Sequence, residues 1–342
     1  MKFFNDLKDA LSSVVKETPT IRATMMGPRA VGKTSIMASI FSETRDSIAG
    51  TNLYFRSSIE SLSTLSNKRL ALMQIFEKKE TLSDAPNVGA IAASNEETKF
   101  VFEMGYVGRQ KSVNVEITDF PGEYLQDNPQ KVADYIADSQ VIMIAIDTPY
   151  LMEKDGQYNE EKNHITWVTN FIVNHSNELK DKLILFVPLK CERYFHDGKI
   201  DDVQSRIERE YTTIISFCNT ANIACAIVPI QTLGGVEFDS FIDNTNSLSF
   251  ITKLSKYRFV GADAEYKPLF CVQPMYYLLV YVANYYAWAS QQSSNAWEGF
   301  KNSLYSFLKN DKDFLVEIKK LSKNMLIDKM GYKILHTNTI LK

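Results

Sequence analysis

The stretch Gly27-Pro28-Arg29-Ala30-Val31-Gly32-Lys33-Thr34 decides how the rest of the chain is read. Its two glycines bracket four residues, and a lysine and a hydroxyl residue follow, which is the spacing of a phosphate-binding loop. Ahead of it, Thr20-Ile21-Arg22-Ala23-Thr24-Met25-Met26 alternates and favours a strand. Behind it, Ile36, Ile40 and Phe41 fall at helical spacing between Lys33 and Glu43. Strand, loop and helix are the context the motif needs. The glycines let the main chain curl so that its N–H groups face a phosphate chain, and the new helix adds partial positive charge. In that frame Lys33 reaches the β and γ phosphates, Thr34 offers its hydroxyl to Mg2+, and Ser35 follows in the same first turn. The loop is silent about the base.

Composition sets the bounds. The 342 residues, 45% hydrophobic and 23% charged, make an ordinary globular chain with room for one large domain carrying insertions, or for two. A formal net charge of -3 argues against nucleic acid as the main partner, because nothing supplies a broad phosphate-neutralising surface. Cys191, Cys218, Cys225 and Cys271 sit in apolar surroundings without zinc-site spacing, so they read as reduced thiols. His164, His175, His196 and His336 likewise lack ligand companions nearby in sequence. The N-terminus has no secretory signal pattern, so a cytoplasmic location is expected. Residues 1–17 instead gather Phe3, Phe4, Leu7, Leu11, Val14 and Val15 on one side of an amphipathic helix, suited to docking on the domain or to a partner or lipid surface. Met275 to Ala289 is apolar but too short to span a bilayer, and reads as a core helix.

Residues 45–98 form a long excursion with a helix from Ser57 to about Lys79. Lys99–Met104 and Val113–Thr118 then read as two strands joined through Gly105 and Gly108, and the second runs into Asp119-Phe120-Pro121-Gly122-Glu123. An aspartate ending an apolar strand after a phosphate loop is where such proteins hold Mg2+, and Gly122 can bring its N–H close to a γ phosphate. The runs 141–146, 183–187 and 224–228 are continuously apolar, as in parallel strands covered on both faces, and helices near 130–137, 159–174 and 202–219 separate them. Alternating strand and helix indicates a three-layer α/β domain with its site at the carboxyl ends of the strands. After Ile230 the sequence is poorly periodic up to Met275, and amphipathic helices follow at about 296–309 and 313–328. The expected organisation is an N-terminal amphipathic helix (1–17), a phosphate-loop domain (18–290) with an insertion (45–98), and a C-terminal helical extension (291–342).

Over roughly Thr20 to Ala289 the chain resembles P-loop GTPases of the translation-factor and Ras-like class. The phosphate loop and Asp119-Phe120-Pro121-Gly122 match that family's motifs in the right order. The resemblance implies a P-loop NTPase fold with a mainly parallel sheet, a helical insertion in the first switch region and C-terminal helices, and a Mg2+-dependent GTP-hydrolysing switch. Thr34 and Asp119 would hold the metal, Gly122 and Glu123 would sense the γ phosphate, and Lys33 would act in catalysis. The family's base-reading motif is degraded here to Leu189-Lys190-Cys191-Glu192. Lys190 can stack its stem on the base and Glu192 can accept hydrogen bonds from guanine, or both can be solvated loop charges. The last base-contacting loop would fall at Gln231-Thr232.

Two further departures bear on rate. Glu123 stands where a water-orienting glutamine is usual, and Arg29 where a glycine is usual. Arg29 either crowds the γ phosphate and slows turnover, or itself stabilises charge there in place of an arginine supplied in trans. The switch hydroxyl that completes the Mg2+ shell is Ser94 or Thr98. The length of the insertion implies a lid or partner-binding element, so a protein effector is expected at 45–98 and the C-terminal helices. More loosely, Asp-Phe-Pro-Gly-Glu with Lys190, Glu192 and Ile230–Gly235 looks like divergent GTPases of bacterial conflict systems, which implies a switch in defence. An ATPase or kinase using the same loop, and a nucleotide-holding scaffold with little hydrolysis, are the competing functions.

Overall fold

A computed structural model describes residues 18–79, 82–83, 97–246, 251–291, 302–338 and 340–341; the helix expected over 1–17 and the switch candidate Ser94 lie outside them. The strands are β1 (Thr20–Met26), β2 (Leu53–Ser57), β3 (Leu82–Ser83), β4 (Thr98–Tyr106), β5 (Ser112–Asp119), β6 (Val141–Asp147), β7 (Leu183–Leu189), β8 (Ala224–Ile227), β9 (Val236–Asp243), β10 (Lys253–Phe259) and β11 (Lys333–His336). Eight of them form one sheet in the order β11-β8-β7-β6-β1-β5-β4-β2. The five central strands, β8 through β5, run parallel, while β4, β2 and β11 are antiparallel additions at the edges.

The apolar runs explain why the centre is parallel. Every residue of β6 and β7 is buried, and successive residues feed opposite cores. Val141, Met143 and Ala145 face one core, and Ile142, Ile144 and Ile146 the other. The first core is covered by α1 (Lys33–Ser47) through Ile36, Met37 and Ile40, by Leu65 of α2 (Ile59–Lys78), by the helix Gln273–Ala289, and by Leu304, Phe307, Phe314 and Ile318 near the C-terminus. The second is covered by the helices Pro129–Asp138, Ile165–Asn174, Ile200–Glu210 and Thr212–Ala221. This is the three-layer α/β arrangement that the sequence indicates, with a mainly parallel sheet. Among the described residues no helix is long and apolar enough to cross a membrane.

Several local readings change. The helix expected over 159–174 breaks at His164, whose φ is 51°, and the one over 202–219 divides at Tyr211. The poorly periodic region after Ile230 contains a hairpin, β9 with β10, whose register shifts between Lys256 and Tyr257. Such a shift breaks strict alternation and hides a strand from its sequence pattern. The sequence pattern places β11 in a helical extension (291–342), yet it joins the main sheet beside β8.

The insertion belongs to the body of the fold. β2 pairs with β4, and α2 lays Leu72, Ile75 and Phe76 against Val236, Leu233, Tyr257, Phe259 and Tyr266. β3, also from the insertion, adds a third strand to the hairpin, with Leu82 opposite Tyr257.

On α1, Glu43 ties that helix to the next layer by accepting a hydrogen bond from Val272 N at 3.0 Å. Burial raises its carboxyl from 4.5 to about 7. The folded state therefore holds an extra proton between about pH 4.5 and 7, so Glu43 makes stability fall as pH rises through that window and level off above it. Glu43→Gln is expected to gain on the unmodified protein across that range, by about 1 kcal/mol at pH 8 once solvent screening is allowed for. Melting curves read the difference, and a gap that does not change with pH rules the assignment out.

Candidate functional site

Two glycines shape the loop between β1 and α1. A Cβ on Gly27 would lie 2.6 Å from Ala145 O, so the chain leaves β1 pressed against β6. Gly32, with φ of 108°, turns the chain into α1. Pro28 is buried, Arg29 and Ala30 are exposed, and Val31 anchors the loop in the core. No side chain caps α1, and its first turn holds no acidic residue. The N–H groups at that end are thus left for an external acceptor, with the helix dipole behind them.

Lys33 folds back over this loop and donates to Gly27 O at 3.0 Å and Pro28 O at 3.1 Å. Its Nζ is also 4.0 Å from Asp119 Oδ1. Thr34 Oγ1 donates to Asp119 Oδ2 at 2.7 Å, and Ser35 is buried beside it. Burial lowers Lys33 and raises Asp119, and the attraction between the two opposes both shifts. Asp119 ends β5 directly opposite Thr98 at the start of β4, so the two side chains leave one face of the sheet together.

The turn after Asp119 closes onto the loop. A Cβ on Gly122 would lie 2.8 Å from Gly27 O and 2.9 Å from Arg29 N, leaving space for a hydrogen only. Across the same seam Arg29 Nη1 donates to Glu123 Oε1 at 3.2 Å, with both side chains about half in solvent. The expected phosphate and metal residues, Gly27 through Ser35 with Asp119, Gly122 and Glu123, therefore lie in one place.

The base-reading candidates occupy the adjacent flank. Lys190, at φ 61°, donates from Nζ to Asp147 Oδ2 at 2.7 Å and to the loop carbonyl of Ala30 at 3.4 Å, with the Tyr257 ring 5.3 Å away. Its own N–H donates to Thr232 Oγ1 at 3.0 Å. Thr232 Cγ2 approaches the Gly32 Cβ position to 3.8 Å, so the 231–235 loop reaches the phosphate loop. Neither Lys190 nor Glu192 is a solvated charge. Glu192 is buried, and its Oε1 accepts from Leu233 N at 2.6 Å and Gly234 N at 3.2 Å. Burial raises its carboxyl. Its shown work is to hold the 231–235 loop, where the sequence reading had it receiving hydrogen bonds from a base.

Asp147 was missed. It ends the apolar run 141–146, and the carboxyl end of a parallel strand is where sites of this architecture form, so position alone would have flagged it. Asn163 fixes its main chain by accepting from Asp147 N at 2.8 Å and donating to Asp147 O at 3.1 Å.

No family model and no curated protein matches the sequence. Among solved structures the chain is similar to the GTPase-like domain of S. cerevisiae Ski7 bound to GDP and inorganic phosphate, at 14% identity and a TM-score of 0.38, covering 70% of this chain and 47% of that one. It is similar also to the same domain bound to GTP, at 13% identity and a TM-score of 0.38, covering 65% and 44%. The chain thus spans less than half the length of either solved chain. The fold rests on the strand order and the loop geometry above, and the resemblance to conflict-system GTPases has no counterpart among these comparisons.

The Gly122 contact gives a direct test. Gly122→Ala is expected to force the two loops apart and lower stability by about 1–3 kcal/mol, as overpacking against immovable backbone does. Urea unfolding measures this, and an unchanged midpoint would show that the contact is looser than described.

Proposed function

We propose that the protein is a Mg2+-dependent GTP-binding switch with slow hydrolysis. One observation carries this: an uncapped helix N-terminus, the buried Lys33 and the Thr34–Asp119 pair converge at the carboxyl end of the parallel strands. An amide-lined cradle with a lysine fits a triphosphate, and a hydroxyl beside a carboxylate fits a hard cation that takes oxygen ligands.

In this reading Lys33 leaves the Gly27 and Pro28 carbonyls to meet the β and γ phosphates. Thr34 and Asp119 would hold Mg2+, and Thr98 is favoured as the switch hydroxyl because it stands opposite Asp119. When bound, Mg2+ would supply neutralisation of the negative charge on the phosphate chain. The Gly122 N–H meets the γ phosphate. Glu123 orients the water that attacks the γ phosphorus as its bond to the bridging oxygen breaks, giving diphosphate and inorganic phosphate. Because Glu123 is paired with Arg29, that pair must part first, which supports slow turnover. Lys190 lines the base with its stem, and Glu192 contributes to guanine choice by shaping the loop that carries Thr232.

The same Arg29–Glu123 pair favours a second reading, a scaffold that retains nucleotide with little hydrolysis. A protein effector is proposed at the insertion, where Ile59, Leu62, Leu70 and Met73 share an exposed face of α2.

Titration with GTP, ATP and their diphosphates, followed by phosphate release, separates these readings. Preference for guanine with release supports the switch, tight binding without release the scaffold, and preference for adenine an ATPase or kinase. Lys33→Ala is expected to weaken nucleotide binding by roughly 10- to 100-fold, the loss of a charge-assisted contact; undiminished affinity in a folded variant sinks the reading.

Single-turnover hydrolysis of Arg29→Ala decides its role. A faster variant marks Arg29 as crowding the γ phosphate, and a much slower one marks it as a charge stabiliser.

A further inference from the structure

Asp147 ends β6 opposite Leu189 of β7, so Lys190 follows directly on its neighbour across the sheet. Asp147 is fully buried, and Asn163 clamps its main chain from both directions, accepting from Asp147 N at 2.8 Å and donating to Asp147 O at 3.1 Å. Asn163 is set in turn by Asn159, whose Oδ1 accepts from Asn163 Nδ2 at 2.8 Å. Both asparagines lie on the short helix Asn159–Asn163 and are buried. The Asp147 carboxylate is therefore placed by the fold, on elements that take no part in the phosphate cradle.

Lys190 is held at both ends. Its backbone sits at φ 61°, and its N–H donates to Thr232 Oγ1 at 3.0 Å. At the far end its Nζ donates to Asp147 Oδ2 at 2.7 Å and to Ala30 O at 3.4 Å, and lies 5.3 Å from the centre of the Tyr257 ring. Only 13% of the side chain is exposed, so the carboxylate offsets the loss of water around the ammonium. The four-carbon stem runs between these two fixed points, with its head beside Ala30, an exposed residue of the phosphate loop. A lysine side chain has among the most rotamer freedom to lose, and here that loss falls on folding instead of on ligand binding.

We infer that Asp147 is the positioning residue of the base site: it holds the Lys190 stem in place as a support for the base of a bound nucleotide, and acts on affinity through Lys190 without touching the ligand. The inference rests on the nucleotide reading above and goes beyond it by naming the group that sets Lys190. It also divides the site into two parts. The phosphates meet a cradle built from Gly27, Lys33 and Thr34, whereas the base meets a surface whose order depends on a buried ion pair. Glu192 is not available for the same task, because its carboxylate is committed to Leu233 N and Gly234 N.

The test uses the full chain with Asp147→Asn, which keeps the shape and removes the charge, with Lys190→Met, which keeps a stem and removes the ammonium, and with the two combined. Each is titrated, with Mg2+ present, with a non-hydrolysable nucleoside triphosphate analogue of the base the unmodified protein selects and with inorganic tripolyphosphate, which has no base. Asp147→Asn is expected to lose roughly tenfold in nucleotide affinity, with tripolyphosphate affinity within about twofold. Added to Lys190→Met, the same substitution is expected to change nucleotide affinity by less than about twofold, because no ammonium is left to hold. Equal loss for both ligands overturns the inference, since Asp147 would then brace the cradle or the whole fold. Unchanged nucleotide affinity overturns it as well, and so does a tenfold loss that persists beside Lys190→Met. If Asp147→Asn does not fold, Asp147→Ser carries the same comparison. Should the unmodified protein bind neither ligand, the nucleotide reading itself fails; should it bind the nucleotide no tighter than tripolyphosphate, the cradle stands and this inference alone falls.

Discussion

At Gly27 and Gly122 three segments of main chain meet with no side chain between them. The loop after β1 lies against Ala145 of β6, and the turn after Asp119 lies against that loop. This close approach brings the start of α1 and the end of β5 together, so that Thr34 reaches Asp119 at 2.7 Å and Lys33 comes within 4.0 Å of it. Two buried charges kept this near each other need fixed geometry, because each is disfavoured by loss of water and is offset by its partner and by the hydrogen bonds around it. The backbone contact supplies that geometry, and the flanking arrangement follows from it.

The insertion is the other organising feature. Its strand β2 extends the main sheet, its helix α2 contributes Leu65 to the main core, and its strand β3 extends the hairpin. It therefore connects two regions that are otherwise separate in the sequence, the Asp119 end of the cradle and the hairpin whose Tyr257 faces Lys190. A shift of α2 relative to α1 would be felt at both, since packed elements transmit displacement.

Much of this was legible in the chain. The apolar runs of β6, β7 and β8 gave a sheet covered on both faces, and the phosphate loop with Asp119 and Gly122 gave a cluster that the fold does bring together. The hairpin was not legible, because a register shift at Lys256 and Tyr257 removes the alternation that marks a strand. β11 was hidden for a different reason: four residues at a sheet edge carry little pattern, and their pairing with β8 is a contact across more than a hundred residues. Glu192 was read by its place in a motif, whereas its carboxylate is committed to Leu233 and Gly234.

By itself the sequence determined the alternation of strand and helix and the curl of the loop before Lys33, since both depend on local backbone preference and on which residues can be buried. Only the tertiary structure decided that Lys190 pairs with Asp147 and that Arg29 pairs with Glu123. These partners lie tens of residues apart on different elements. Charge attraction weakens with distance, so which charges meet is fixed by how the elements pack, and no local pattern records it.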